Sequence, residues 1–184
     1  PALGLTLPRL PAEWNGLRIL HLSDWHLLPT LDRSFFEAVT EHALARPADL
    51  VVFTGDLVDD RQCLSWLPQT MGRFDSRLGQ YFILRNHDWE VGAEDVRRAM
   101  AELGWQPVSG RTFTIEYAGR RLVIAGDETP WLGRPPDFSR TRPDEFRLLL
   151  SHTPDHLRRA RNAGVDLMLA GHNHGGQVVL PLVG

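Results

Sequence analysis

The chain is 184 residues long, 42% hydrophobic, with a formal net charge of −3. That length suits a single domain over 1–184 with a real core, and the acidic balance lacks the basic footprint that nucleic-acid binding requires, so no nucleic acid is expected as a partner. Cys63 is the sole cysteine, which excludes an internal disulfide.

In chain order, Leu17–Leu22 is an apolar run that reads as a strand. Arg33–Arg46 has helical spacing, with Phe36, Val39, Ala43 and Leu44 on one side and Pro47 closing the segment. Leu50–Thr54 places Val51, Val52 and Phe53 in succession, the pattern of a strand buried on both faces. A helix is expected around Cys63–Phe74 despite Pro68, then a strand at Tyr81–Leu84. A second amphipathic helix is expected at Ala93–Leu103, stopped by Gly104. Arg111–Tyr117 and Arg120–Ala125, joined through Ala118-Gly119, read as a hairpin. Glu128–Pro143, with Pro130, Pro135, Pro136 and Pro143, reads as a long loop. Phe146–Leu150 is a strand, Pro154–Ala163 a helix opening on proline, Leu167–Ala170 a strand and Gln177–Leu180 another. Strands and helices alternate first and the chain then turns β-rich, which predicts an α/β layered domain with mixed sheets. No apolar run approaches the roughly 20 residues that span a bilayer, and no signal peptide is visible. The chain opens at Pro1 without a methionine and stops at Gly184 in strand-like material, so a piece of a longer protein is expected, with room for an anchor before Pro1.

Polar clusters follow the strands. They are Asp24-Trp25-His26, Gly55-Asp56-Leu57-Val58-Asp59, Asn86-His87-Asp88, Ser151-His152-Thr153-Pro154 and Gly171-His172-Asn173-His174. Ligands in layered α/β folds collect beyond the carboxyl ends of strands, where every cluster sits. Carboxylate oxygen and imidazole nitrogen make a mixed ligand set suited to Mn, Fe or Zn, and thiolates are missing from it. On an extended backbone, Asp24 and His26 flank one residue and point to the same face. Each cluster alone has an ordinary reading. Asp-x-His is commonly a turn, Asp59 suits a helix N-cap, Asn86-His87-Asp88 suits a polar turn and His152 suits a helix entry. His21, His42 and His156 read as structural. Jointly and in this order, the clusters point to metal-assisted hydrolysis of a phosphate ester.

These motifs resemble the calcineurin-like metallophosphoesterase superfamily, whose signature is D-x-H, G-D-x-x-D, G-N-H-D, H and G-H-x-H. The resemblance runs from Leu17 to about Leu180. It implies a four-layer α-β-β-α sandwich with two mixed sheets. Asp24, His26 and His174 would hold one divalent ion, Asn86, His152 and His172 a second, and Asp56 would bridge them. Mn is the favoured metal, with Zn or Fe as alternatives. The implied nucleophile is a hydroxide bridging the ions. His87, oriented by Asp88, would face the leaving group, Asn86 would also contact the substrate, and Asp59 would stand behind the ligands. The family's glycine before Asn-His-Asp is here Arg85, which could clash, weaken the second metal site, or bind the substrate phosphate as a clamp.

Within the superfamily the motifs are similar to a bacterial, membrane-associated phosphodiesterase branch. Some of its members cleave the pyrophosphate of UDP-2,3-diacylglucosamine. The implied substrate is a phosphodiester or a lipid-linked or nucleotide pyrophosphate, with phosphomonoesters and a non-catalytic scaffold as rival readings. A cytoplasmic location, or a peripheral one at the cytoplasmic membrane, follows from the same resemblance. Trp25, Trp89 and Trp131, with the proline-rich loop, are candidates for an apolar rim around a lipid or nucleoside.

Overall fold

A computed structural model describes residues 2–174. The expected strand at 177–180 lies outside the described residues.

Apolar alternation along the strands builds two sheets that pack face to face. The first has strands β1 (Ile19–Leu22), β2 (Leu50–Thr54), β3 (Gln80–Ile83) and β4 (Gln106–Pro107) in that spatial order. All its described pairings are parallel. The second is ordered β5 (Thr112–Tyr117), β6 (Arg120–Asp127), β7 (Phe146–Ser151), β8 (Leu167–Ala170). Its β5–β6 hairpin is antiparallel and its other pairs are parallel, so the mixed character expected of both sheets is found in the second.

Side chains on successive strand residues point to opposite faces. Leu50, Val52, Tyr81 and Ile83 therefore meet Leu122, Ile124, Phe146, Leu148 and Leu150 in a core between the sheets. Val51, Phe53, Phe82 and Leu84 face outward into a second core with helices α1 (Arg33–Leu44) and α2 (Asn86–Glu102). On the far side, Val123, Ala125 and Leu149 pack beneath α3 (Leu157–Asn162), where Ala160 is buried with them. This is the four-layer sandwich. Every residue of β2 is buried, as its unbroken apolar run requires.

Three expected helices differ, the one over Pro154–Ala163 opening as a 3-10 turn, Pro154–His156, before α3. The segment read as a helix over Cys63–Phe74 is a pair of 3-10 runs, Arg61–Gln69 and Met71–Arg73, because Pro68 offers no N–H and the chain breaks at Thr70. Helix α2 starts at Asn86 rather than at Ala93. Gly92, at φ 122°, kinks it where the hydrophobic periodicity begins, so the first turns escape a search for amphipathic spacing.

Gly126 continues the inward face of β6 and leaves no room for a side chain between the sheets. A β-carbon there would lie 2.5 Å from Ile83 Cγ2 and 2.9 Å from Val108. We expect Gly126→Ala to lower stability by about 1–3 kcal/mol through overpacking. The urea midpoint of the variant against the parent checks it.

Candidate metal centre

The carboxyl ends of β1, β2, β3, β7 and β8 meet at one end of the sandwich. The loop after β1 runs beside the loop after β2, with Asp24 N donating to Gly55 O at 3.0 Å, His26 N to Asp56 O at 3.0 Å and Leu27 N to Leu57 O at 2.8 Å. The second sheet joins through His152, whose Nδ1 lies 2.8 Å from the Thr54 carbonyl. The loop after β8 closes the ring. His172 N donates to both Asp24 carboxylate oxygens at 3.0 and 3.1 Å. Gly171 permits that approach, since a β-carbon would strike the Ser23 hydroxyl and the Asp24 carboxylate.

Backbone strain is concentrated here. Asp24 (φ 56°), His26 (47°), Asp56 (57°), His172 (71°) and His174 (45°) all adopt left-handed geometry, and among the described non-glycine residues Ala118 alone joins them. Such geometry costs of order 1 kcal/mol or more per residue and persists where surrounding contacts impose it. The extended backbone expected for Asp24-Trp25-His26 is therefore replaced by two left-handed residues, which turn both ligands inward. Trp25 points away into the core against Phe36, Phe53 and Phe74, so it does not belong to a rim.

The Asp56 loop is held from beneath by Asp88. This carboxylate is fully buried and accepts four backbone N–H groups, from Leu57 (2.9 Å) and Val58 (3.0 Å) on one oxygen and Asp56 (3.0 Å) and Arg85 (3.0 Å) on the other. Burial pushes its carboxyl up to about 7, against the N–H donors, which favour the charged form. Asp88 was expected to orient His87, but its oxygens are committed to these amides. The partner of His87 is Asp59, with Nδ1 to Oδ1 at 3.0 Å. The same Asp59 oxygen lies 2.9 Å from His26 Nδ1. Asp59 thus hydrogen-bonds the His26 imidazole and lies within ion-pair distance of His87, and the helix N-cap is the neighbouring Asp60, which accepts from Gln62 N.

Among the described residues, atoms able to ligate a metal converge in three groups, each with its atoms within 4.8 Å of one another: Asp24, His26 and His174; Asp56, His152 and His172; and His26, Asp59 and His87. The second group tests most directly whether a cation fits. His152 Nδ1 must donate its proton to the Thr54 carbonyl, which can only accept. Its Nε2 then faces Asp56 Oδ2 at 3.0 Å and His172 Nδ1 at 3.2 Å. A proton on Nε2 serves one of those acceptors, whereas a cation serves all three atoms. Asp56 Oδ1 in this group and His26 Nε2 in the other two are also buried without a hydrogen-bond partner. Buried polar atoms left unpaired are costly, so their convergence fits a bound metal. Burial raises the Asp56 pKa, but His152 at hydrogen-bond distance, with His87 and His26 nearby, outweighs this and holds it below the ordinary carboxylate value.

Asn86 opens α2 half-buried, one residue before His87. Arg85 neither clashes nor points out as a phosphate clamp. At φ −145° its backbone is ordinary extended chain, its Cβ packs over the Gly55 position, and its Nη1 donates to Thr129 O at 2.7 Å. His21 meets Thr54 Oγ1 at 2.8 Å, and burial lowers its pKa, in keeping with a structural role. His156 lies 3.0 Å from Ser151 Oγ and 3.5 Å from Asp127. Sequence reasoning missed Asp127 and Glu128, both buried at the end of β6. Their signal was available: two acids directly after an apolar strand, the same arrangement as the other clusters.

The family model for calcineurin-like phosphoesterases matches residues 17–176. The chain belongs to the calcineurin-like phosphoesterase family. A transmembrane protein with a metallophosphoesterase domain from Bos taurus is 30% identical over 92% of this chain and 43% of its own length. Phosphodiesterase YaeI from Escherichia coli is 28% identical over 91% of this chain and 64% of its own. UDP-2,3-diacylglucosamine pyrophosphatase LpxG from Chlamydia trachomatis is 25% identical over 97% and 70%. The chain thus spans less than two thirds of the first two relatives.

Two outcomes follow. Adding Mn to the chelated protein should raise its unfolding temperature, by about 2.7 kcal/mol of stabilisation at a hundredfold excess over Kd. Asp88→Asn sets an amide NH₂ against two N–H donors, each costing about 1–3 kcal/mol when stranded, and should lower both the denaturant midpoint and metal affinity together.

Proposed function

We propose that this domain hydrolyses phosphodiester or pyrophosphate bonds at a centre of two divalent ions, Mn in preference to Zn or Fe. The observation that carries this reading is the convergence of His152 Nε2, Asp56 Oδ2 and His172 Nδ1 beside the Asp24, His26 and His174 group. Asp24, His26 and His174 would hold one ion, His152, His172 and Asn86 the other, with Asp56 between them. Bound there, the ions would polarise the phosphate and supply, as a bridging hydroxide, a nucleophile formed from water at near-neutral pH. His87, steadied through Nδ1 by Asp59, presents its other nitrogen for proton transfer to the leaving oxygen. Asn86, next to it, would contact the phosphate oxygens.

Support for a diester or pyrophosphate over a monoester comes from the relatives named phosphodiesterase and pyrophosphatase. LpxG also supports a lipid-linked or nucleotide pyrophosphate as the substrate. No helix of the described residues is long and apolar enough to cross a membrane. The relatives named transmembrane proteins support attachment at a membrane surface through chain outside this domain.

The test is hydrolysis of bis(p-nitrophenyl) phosphate and of p-nitrophenyl phosphate after chelation and readdition of Mn, Zn or Fe. Metal-restored turnover with the diester preferred is expected, and inactivity with every metal overturns the reading. His87→Ala should lower kcat about 10²- to 10⁴-fold while the protein still binds its metal. Parallel loss of metal would remove His87 from the proton-transfer role.

A further inference from the structure

Trp89 and Trp131 are each 52% exposed, yet they stand against one another with ring centroids 6.4 Å apart and planes 40° apart. Isolated exposed apolar side chains need no explanation, but a contiguous aromatic pair does. Trp89 lies in the first turns of α2, two residues after His87 and three after Asn86. Trp131 comes from the loop after β6.

That loop is tethered on both sides of Trp131. Glu128 is fully buried, accepts from Leu84 N at 2.7 Å and forms a two-pronged ion pair with Arg97 of α2 at 3.1 and 3.2 Å. Asp127, also buried, accepts from Thr129 N at 3.0 Å and Thr129 Oγ1 at 2.6 Å and pairs with Arg159. Leu132 N donates back to Glu128 O at 3.1 Å, and its side chain packs inward against the core. Trp131 is left facing out beside Trp89. The last tether is Arg85, which takes the family's glycine position and binds the Thr129 carbonyl. These buried ion pairs and hydrogen bonds fix the loop from which Trp131 projects.

We propose that Trp89 and Trp131 form a stacking platform for the base of a nucleotidyl substrate whose phosphate sits at the metal centre, and that Arg85 is a positioning residue for it. The inference rests on the hydrolytic reading above and names the substrate class of that site. Indole faces suit a planar ring, since stacking needs only a π-face. Glu90 adjoins Trp89 at an exposed position, so the polar edge of a base has a partner that an acyl chain would not use.

Two measurements on the metal-loaded chain test this. The first is quenching of tryptophan emission by uridine 5′-monophosphate, with ribose 5-phosphate as the phosphate without a base. Saturable quenching by the nucleotide alone, lost in Trp89→Ala and in Trp131→Ala, is expected. The second is the ratio of kcat/KM for thymidine 5′-(p-nitrophenyl phosphate) to that for methyl p-nitrophenyl phosphate. It should fall about 5- to 100-fold in both alanine variants, mostly through KM, and be largely kept in Trp89→Phe. Arg85→Gly should lower the same ratio without loss of bound metal. An unchanged ratio in both alanine variants, or equal quenching by ribose 5-phosphate, overturns the platform while leaving the hydrolytic reading intact. An emission shift with phosphatidylglycerol vesicles and none with the nucleotide overturns it in favour of a lipid surface. Nucleotide quenching that needs both tryptophans, in a protein that hydrolyses nothing, keeps the platform and removes the hydrolase.

Discussion

Four backbone N–H groups from two loops converge on the buried carboxylate of Asp88, and much of the site hangs from that convergence. Asp56, Leu57 and Val58 come from the end of β2, and Arg85 from the end of β3. The carboxylate therefore joins the two central strands of the first sheet just beyond their hydrogen-bonded ladder. It also starts α2, which carries Asn86, His87 and Trp89. Because the loop after β1 hydrogen-bonds to the Asp56 loop, Asp24 and His26 depend on the same anchor.

What the anchor sustains is an arrangement that is unfavourable in isolation. Five residues of the cluster hold left-handed backbone, and polar atoms of Asp56, His152 and His172 crowd together at 3.0 and 3.2 Å. With net stabilities of domains near 5–15 kcal/mol, strain and unpaired polar atoms on this scale consume a sizeable share of the margin. Asp56, His152 and His172 would together hold a divalent cation, and the second sheet makes that possible by delivering His152 and His172 to groups from the first. Gly126 and Gly171 mark where the two halves come too close for a side chain.

Arg85 shows how a departure from a family pattern can be absorbed. Glycine is needed where φ is positive or where a side chain has no room, and neither holds at an extended φ of −145°. The guanidinium instead reaches the loop of Trp131. The frame of Asp127, Glu128, Arg97 and Arg159 around that loop joins α2, β6 and α3, so the loop carrying Trp131 is tied to three of the four layers of the fold.

The sequence by itself determined the layered α/β class, the strands at Leu50–Thr54 and Phe146–Leu150, and the identity of the clustered carboxylates and imidazoles, because alternation and residue chemistry are local properties. It also carried the signature that places the chain in its family. The start of α2 at Asn86 was hidden, since capping by Asp88 rather than hydrophobic spacing makes that turn. The tertiary structure alone decided that Asp59 and not Asp88 braces His87, that Trp25 turns inward while Trp89 and Trp131 meet outside, and that Arg85 serves a loop more than forty residues away. Each of those depends on which strand ends are brought together, and that is set by the pairing of two sheets through a shared core, a long-range term that no window of sequence contains.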